Sequence, residues 1–504
     1  MISCNSNTNY INHDNLPNII LIMGDDIGFS DIGAYGSEIN TPHLDRLAEG
    51  GMRFTRFYNM SKCEATRSTM LTGLYYGDST AHPMSSYLKK AGYTTIMAGK
   101  QHFYDWVPGK VYAENSFDHS LVYDKINSFF IPPSGKFENP FFLNGKELDI
   151  AQVDTGSTPF YKTNFLTDYA LNVMEEEINN ERPFFLYLPY HTAHYPLQAL
   201  PEDIEKYRGT YKKGWDVLRQ ERFERMKKMG IIPRHTVLSP PEDNINKFRG
   251  HPKGDEDIRA NIPKYRFWDS LSNKEQDDLD LEMAVFAAMV DCMDQNIGRI
   301  ISKLEETGQL DNTLIIYLSD NGSCPYDSNR DFEVPPGPAN SYRTLSAAWA
   351  NTGNTPFRLF KQFGHSGGSQ TQFIVHWPGQ VEKGTLTNQT GHVVDIFPTF
   401  LDLINRMDPS MGKPPYPLDG TSLLPVFEGK TRKVPEYMVS GMEKFRMYQR
   451  DNYKLVRANN ENWELYDMDK DPTEINNLAA DMPEKVIEMD SLYIEWTKTH
   501  KKRR

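Results

Sequence analysis

Residues 18–26 read NIILIMGDD: five unbroken apolar residues, Ile19 to Met23, then Gly24, then the adjacent carboxylates Asp25 and Asp26. A strand with one wet face alternates apolar and polar residues. A strand covered on both faces, as in a parallel sheet, reads instead as one continuous apolar run. This stretch is of the second kind, and it stops abruptly at charge. Three more segments repeat the pattern. GYTTIMAGKQH is β-branched from Thr94 to Ile96 and ends at Lys100 and His102. RPFFLYLPYHTAHYP ends at His191 and His194, and DNTLIIYLSDNG ends at Asp320 and Asn321.

Helical patterns separate these runs. TPHLDRLAEGG offers Thr41 as a cap, Pro42 at the first helical position and Gly50 or Gly51 as the stop. LEMAVFAAMVDCMDQNIGRIISKLEETG sets Met283, Phe286, Met289, Met293, Ile297, Ile300 and Leu304 at helical spacing, which predicts a core-facing stripe with Cys292 packed inside it. Alternation of strand and helix specifies an α/β protein with a mostly parallel central sheet. Ligands of such sheets bind just past the carboxyl ends of the strands. The charged residues at the ends of the four runs are thereby predicted to meet on one rim.

The composition excludes several alternatives. At 504 residues the chain exceeds one simple core, so a large domain with a smaller one is expected. The net charge of −13 argues against a nucleic-acid partner, and the basic terminal KTHKKRR reads as a solvated tail. No apolar run approaches the roughly 18 residues of a membrane span. Ile2-Ser3-Cys4 before a polar stretch resembles the end of a bacterial lipoprotein signal, which implies lipidation of Cys4 and a periplasmic or cell-surface location; no complete signal peptide is present, and a free thiol is the alternative. The four cysteines, Cys4, Cys63, Cys292 and Cys324, have neither paired metal-ligand spacing nor a disulfide framework.

Asp25, Asp26, Asp320 and Asn321 offer oxygen ligands only, which suit a hard cation such as calcium or magnesium rather than zinc. Carboxylates crowded together also need a cation, since like charges in one site cannot all stay ionised. Lys100, His102, His194 and Lys361 supply positive charge and donors, the equipment for an anionic group whose oxygen a metal polarises. Cys63 lies in SKCEATRSTMLTG, residues 61–73, a polar setting unlike that of a packed thiol. The following residues predict a short helix stopped by Gly73, with Cys63 near its amino terminus, where the dipole favours anions.

CEATR followed four residues later by TG resembles the sulfatase signature, C-x-(P or A)-x-R-x(4)-T-G. MGDDIGFSDIGAYG, TPHLDRLAEGGMRF, GKQH, LSDNG, NTPFRLFKQFGHSGG and WELYDMDKDPTEINNLA look like further sulfatase segments in family order. The chain is thus identified as a member of that family, of the arylsulfatase type and within the alkaline phosphatase superfamily. The resemblance runs from about Asn18 to near the carboxyl terminus. It implies an α/β/α sandwich with a smaller C-terminal subdomain of antiparallel sheet and helix. The implied activity is hydrolysis of an O-sulfate ester with release of inorganic sulfate. The implied cofactors are Ca2+ and a formylglycine made from Cys63 by a maturase, its hydrate being the nucleophile.

The resemblance also implies roles. Asp25, Asp26, Asp320 and Asn321, with the formylglycine of Cys63, match the calcium ligands. Arg67 matches the arginine that steadies the hydrate, and Lys100 the lysine beside it. His102 matches the histidine that later draws a proton and expels sulfate. His194 and Lys361 match the pair that binds sulfate and assists the leaving oxygen, and Asp320 would help activate the attacking hydroxyl. His365 and His191 are further candidates near the site, His365 for substrate binding. His392 reads as structural and Cys324 as a bystander.

Three departures stand out. Ala65 replaces a frequent proline, a form accepted by the anaerobic radical maturation route. Gln101 and Phe103 flank the motif histidine in place of tryptophan and leucine, and Ser366 stands at a frequent glutamate. Expected boundaries are an N-terminal segment 1–17, a catalytic domain 18–430 with a helical insertion at about 201–271 covering the site, and a C-terminal subdomain 431–504. A sulfated small molecule or glycan is the expected substrate. A terminal galactose-type sugar of a host or algal glycan is favoured, with Tyr104, Trp106, Phe141, Phe142 and Tyr195 available to stack on it. The alternatives are a phosphate or phosphonate monoester hydrolase of the same fold, and a non-catalytic sulfated-glycan binder if Cys63 stays a cysteine.

Overall fold

A computed structural model describes residues 16–75, 81–102, 116–124, 128–150, 153, 159–241, 266–326, 329, 332–433, 435–441 and 444–501. Cys4, Phe103, Tyr104, Trp106 and the last three residues lie outside these, as does the stretch 242–265 of the expected insertion.

The four apolar runs form the strands Asn18–Gly24, Thr94–Lys100, Phe184–Pro189 and Thr313–Ser319. They lie side by side and parallel, in the order 313–319, 18–24, 184–189, 94–100, at the centre of a ten-stranded sheet. His119–Tyr123 extends one flank in parallel, and Phe373–His376 runs antiparallel on the other. Both faces are covered. Along the first strand Ile20 and Ile22 enter one apolar core while Ile19, Leu21 and Met23 enter the other. That is why the run is continuous in sequence rather than alternating.

The first core includes the 34-residue helix Asn273–Glu306, whose predicted stripe from Met283 to Leu304 is buried together with Cys292. The helix starts eight residues before Leu281. A capping box fixes the start: Ser272 accepts from the Glu275 amide and Glu275 accepts from the Ser272 amide. The helix Pro42–Glu49 begins and ends as its punctuation predicts, although Thr41 Oγ1 accepts from the Gly33 amide rather than capping its own helix.

The described part of the expected insertion is helical, at Pro201–Glu205 and Gly214–Met229, and is built into the first core. Trp215 meets Trp268 and Trp349 there with ring centroids 4.9 and 5.4 Å away. The buried Arg222 pairs with Asp31 at 2.6 Å and Glu38 at 2.8 Å. The buried apolar residues of Gly214–Met229 share one inward face.

A separate four-stranded antiparallel sheet, Met438–Ser440, Phe445–Arg450, Tyr453–Ala458 and Glu464–Asp467, is followed by the helix Pro483–Lys501. It is tied to the turn 364–369 by the buried Lys454–Glu474 pair, 2.7 Å apart, since Lys454 also donates to Ser366 and Glu474 accepts from the Ser366 amide. No described helix is long and apolar enough to cross a membrane.

Candidate active site

Register assembles the site. Gly24 pairs with Ser319 across two neighbouring parallel strands, so the next residues, Asp25 and Asp320, emerge together at the carboxyl rim. The Asp320 amide donates to Gly24 O at 3.2 Å, and the Asp26 amide donates to Asp320 Oδ1 at 3.3 Å. Asn321 Nδ2 donates to Asp26 Oδ1 at 2.7 Å. The chain can leave Asn321 only through a glycine: a Cβ on Gly322 would lie 1.8 Å from Gly367 O. Lys100 ends the 94–100 strand and His194 lies in the turn beyond Pro189. Asp26 and His102 both take up left-handed backbone, with φ of 64° and 47°. Non-glycine residues take up this conformation uncommonly, aspartate and histidine more readily than most.

Cys63 is the first residue of the helix Cys63–Thr72, which Gly73 ends at φ 68°. Thr66 pins that helix to the rim by donating from Oγ1 to Asp320 O at 2.6 Å while accepting from the Met60 amide. One turn on from Cys63, Arg67 donates to Asp320 Oδ2 from Nε at 3.1 Å and from a terminal nitrogen at 2.7 Å, and to Lys100 O at 3.1 Å. Lys100 Nζ donates to Asp25 Oδ2 at 2.5 Å, and Lys361 Nζ binds Asp26 Oδ1. His194 Nδ1 lies 2.8 Å from Tyr195 O, which requires the proton on Nδ1 and leaves Nε2 facing Asp26 Oδ2 at 3.5 Å.

Three oxygens in this cluster, Asp25 Oδ1, Asp26 Oδ2 and Asn321 Oδ1, are buried and receive no hydrogen bond. Ligand atoms of Asp25, Cys63 and Asp320 lie within 4.8 Å of one another, as do those of Asp25, Asp26 and His194. Buried acceptors without donors are costly unless a cation satisfies them. An all-oxygen carboxylate and amide set fits a hard dication.

The electrostatics follow from burial and crowding. Burial alone would raise the Asp25 carboxyl, but Lys100, His194, Arg67 and Lys361 outweigh it and hold it far below the usual range. Burial and the adjacent Asp25 charge push Asp320 up to about 7, against Arg67 and Lys100. Burial, reinforced by Lys100 and Lys361 and opposed by Asp26, brings His194 down to about 4. His102 is likewise depressed by burial and by Lys100. Burial pushes the Cys63 thiol up to about 11 despite Lys100 and Lys361. An unmodified Cys63 is therefore a protonated, weakly nucleophilic thiol at neutral pH.

All of Asp25, Asp26, Cys63, Arg67, Lys100, His194, Asp320, Asn321 and Lys361 thus share this one rim. His102 stands at its edge, its Nε2 3.5 Å from Glu64 Oε2. His365 turns to the C-terminal sheet, with Nε2 3.2 Å from Glu464 Oε2. His191 packs beside His194, ring centroids 5.0 Å apart, and its Nδ1 meets Lys162 Nζ at 2.6 Å. His392 is buried and accepts from the Val394 amide. Cys324 lines a small cavity with Asp26, Ser323 and Tyr195. Sequence reasoning missed Glu64 and Lys162. Glu64 sits in the variable position after Cys63, and Lys162 opens a helix 29 residues before its partner His191, so neither carries a local signal.

Known proteins resemble the chain along most of its length. The family model described as Sulfatase matches residues 17–406, and one described as N-sulphoglucosamine sulphohydrolase, C-terminal, matches 357–498. An uncharacterised sulfatase of Schizosaccharomyces pombe is 30% identical over 94% of this chain and 92% of its own length. An N-acetylglucosamine-6-O-sulfatase of Bacteroides thetaiotaomicron is 25% identical over 96% of this chain and 87% of its own. A solved structure in complex with its substrate, D-glucosamine-2-N,6-O-disulfate, superposes with a TM-score of 0.63 over 97% of this chain and 99% of its own, at 21% identity, a likeness of fold.

Proposed function

The chain belongs to the sulfatase family and is a sulfuric ester hydrolase, and from that premise we propose that it hydrolyses the O-sulfate ester of a sulfated sugar, using a formylglycine made from Cys63 and a calcium ion. The observation that carries the reading is the set of undonated buried oxygens on Asp25, Asp26 and Asn321, gathered beside Cys63 and two buried lysines. The sugar is suggested by the names of the relative from Bacteroides thetaiotaomicron and of the substrate complex. A terminal galactose-type sugar remains the specific expectation, so galactose 6-sulfate and N-acetylglucosamine 6-sulfate head the substrate panel.

Asp25, Asp26, Asp320 and Asn321 would hold calcium, which supplies positive charge to polarise sulfate oxygens. Formylglycine, as its hydrate, supplies a hydroxyl nucleophile that the high-lying Cys63 thiol does not. The remaining work falls to the chain's other side chains. Arg67 holds the start of the 63–72 helix against Asp320 through its paired hydrogen bonds. Lys100 and Lys361 offset the charge of the entering sulfate group, so that an anionic ester is drawn in rather than repelled. His194 is fixed by its Nδ1–H contact with Tyr195 O, leaving Nε2 to carry the proton for the leaving oxygen. An anionic sulfate beside it favours the imidazolium form that this role needs. His102, at the exposed edge, serves as the base next to residue 63.

The test is mass spectrometry of the tryptic peptide containing Cys63, joined to a sulfate-release assay on protein matured in its native host. Oxidation of the thiol to an aldehyde removes about 18 Da and installs the activated nucleophile. Unmodified cysteine in the presence of a competent maturase overturns the reading in favour of glycan binding. Phosphate release from a monoester without sulfate release would move the enzyme to the other reaction of this fold.

A further inference from the structure

The two side chains assigned to the leaving oxygen, His194 and Lys361, converge on Asp26: His194 Nε2 lies 3.5 Å from Oδ2, and Lys361 Nζ pairs with Oδ1. A cavity adjoins that carboxylate. Asp26, Tyr195, Ser323 and Cys324 line it, with Phe286 and Leu345 among its apolar walls. Its volume is about 10 Å3, room for about one water-sized group. Asp25, Asp320 and Asn321 are not in its lining, so it is not the place where the expected calcium ligands converge. His194 and Lys361 both touch its walls. The His194 ring lies 4.3 Å from the Tyr195 ring, centroid to centroid, and the Lys361 amide donates to Ser323 O at 3.2 Å. Ser323 is 0% exposed, and its Oγ has no hydrogen-bond partner. A buried hydroxyl in that state costs about 1–3 kcal/mol unless something enters to pair with it.

We propose that this cavity is a subsite for one neutral hydroxyl of the substrate's alcohol, carried on a carbon next to the ester, and that Ser323 and Cys324 are the residues that set this specificity. The inference rests on the sulfatase reading. With sulfate on the buried lysines and the leaving oxygen at His194 Nε2, the ester carbon is brought against the Asp26 and Tyr195 wall of the cavity. A substituent on the neighbouring carbon then reaches the space behind that wall. One heavy atom fits there. A carboxylate or a second sulfate is too large, and the Asp26 carboxylate repels either. A methyl group fits by size but leaves Ser323 Oγ unpaired. A hydroxyl both donates and accepts, so it pairs with Ser323 Oγ whichever way that group turns, while Cys324 Sγ adds a weak contact and limits the width. Alcohols with a free hydroxyl beside the ester are therefore selected over their deoxy and doubly sulfated counterparts.

The experiment compares the parent enzyme with Ser323→Ala and Cys324→Leu on three matched probes: 2-hydroxyphenyl sulfate, 2-methylphenyl sulfate and phenyl sulfate. Reading each variant-to-parent ratio of kcat/KM cancels the differences in leaving-group reactivity. Ser323→Ala is expected to lower the value for 2-hydroxyphenyl sulfate about tenfold, the worth of one hydrogen bond, and to leave the other two unchanged. Cys324→Leu fills the cavity and should lower the same value while sparing phenyl sulfate. An enzyme that cleaves sugar sulfates but no aryl sulfate is compared instead on its preferred sugar sulfate and the analogue lacking the hydroxyl next to the ester. A resident water offers the same chemistry as a substrate hydroxyl, and thermal unfolding separates the two. A Tm of Ser323→Ala equal to the parent's is expected; a lower Tm with one common ratio for all probes assigns Ser323 to a bound water and overturns the proposal. A common ratio at unchanged Tm overturns it as well. A parent enzyme that bears formylglycine yet releases no sulfate from any probe or sugar sulfate overturns the sulfatase reading itself, and the proposal with it.

Discussion

Arg67 grips Asp320 with two hydrogen bonds to a single carboxylate oxygen, at 3.1 and 2.7 Å, and both side chains are fully buried. The contact joins the helix that begins at Cys63 to the strand end 253 residues away, so the geometry of residue 63 depends on it. Lysine cannot reproduce the fork. Arg67→Lys is expected to lower kcat/KM for sulfate release at least about 100-fold, a loss typical of misplacing a reacting group. Arg67→Ala should in addition cost about 3 kcal/mol or more of stability, because the Asp320 carboxylate is left buried without its partner. Steady-state kinetics and urea unfolding of the two variants check this; near-parental activity in Arg67→Lys would remove the fork from the mechanism.

Calcium should stabilise the folded chain by mass action, since the proposed oxygen ligands come together only in the native state. A free concentration of 100 Kd is expected to add about 2.7 kcal/mol. Thermal unfolding after chelation, then with calcium or magnesium restored, reads the effect independently of activity. The rise in Tm should vanish in Asn321→Ala, which removes one of the three undonated oxygens. An identical rise in that variant would mean that calcium binds elsewhere.

The Lys454–Glu474 pair predicts how the C-terminal sheet is held. Lys454→Met should destabilise by about 3–5 kcal/mol, the usual cost of stranding one member of a buried pair. Adding Glu474→Gln should recover a large part of that loss, because glutamine removes the stranded charge and still accepts from the Ser366 amide. Chemical denaturation of the single and double variants gives the coupling. Equal losses in the single and double variants would show that the pair is not what docks the sheet.

His392 predicts an acid limb in the stability profile. Burial pushes its imidazole down to about 3 from an ordinary value of 6.5. The folded chain therefore binds fewer protons than the unfolded chain between these values. Stability from this group is complete above about pH 6.5 and falls as pH drops towards 3, by about 2 kcal/mol between pH 6.5 and 5. His392→Asn keeps an acceptor for the Val394 amide and has no such titration. Its Tm should fall less than the parent's from pH 7 to 5, and parallel profiles would exclude His392 as a source of the acid limb.

Much of the site was legible because its parts are local. Burial on both faces makes the runs 19–23 and 314–318 continuously apolar, and the carboxylates that follow each run are conspicuous for ending it. Cys63 announced itself by sitting in a polar stretch before an arginine. Glu64, Lys162 and the true neighbour of His365 were illegible for the opposite reason. Glu64 meets His102 across 38 residues and His365 meets Glu464 across 99, separations over which no periodicity or spacing carries information. The insertion illustrates the same limit, since its charge was readable but the direction its Trp215, Phe223 and Met226 face was not.

By itself, then, the sequence determined which segments are strands and helices, which chemistry stands at their ends and which family the whole resembles, because burial imposes a pattern on each element one residue at a time. The tertiary structure alone decided that Gly24 lies opposite Ser319, that Asp25 and Asp320 share one rim with Arg67 between them, and that Glu64 meets His102 beside it. Those relationships depend on strand register and on contacts between distant segments, which are settled only when the two cores close over the sheet.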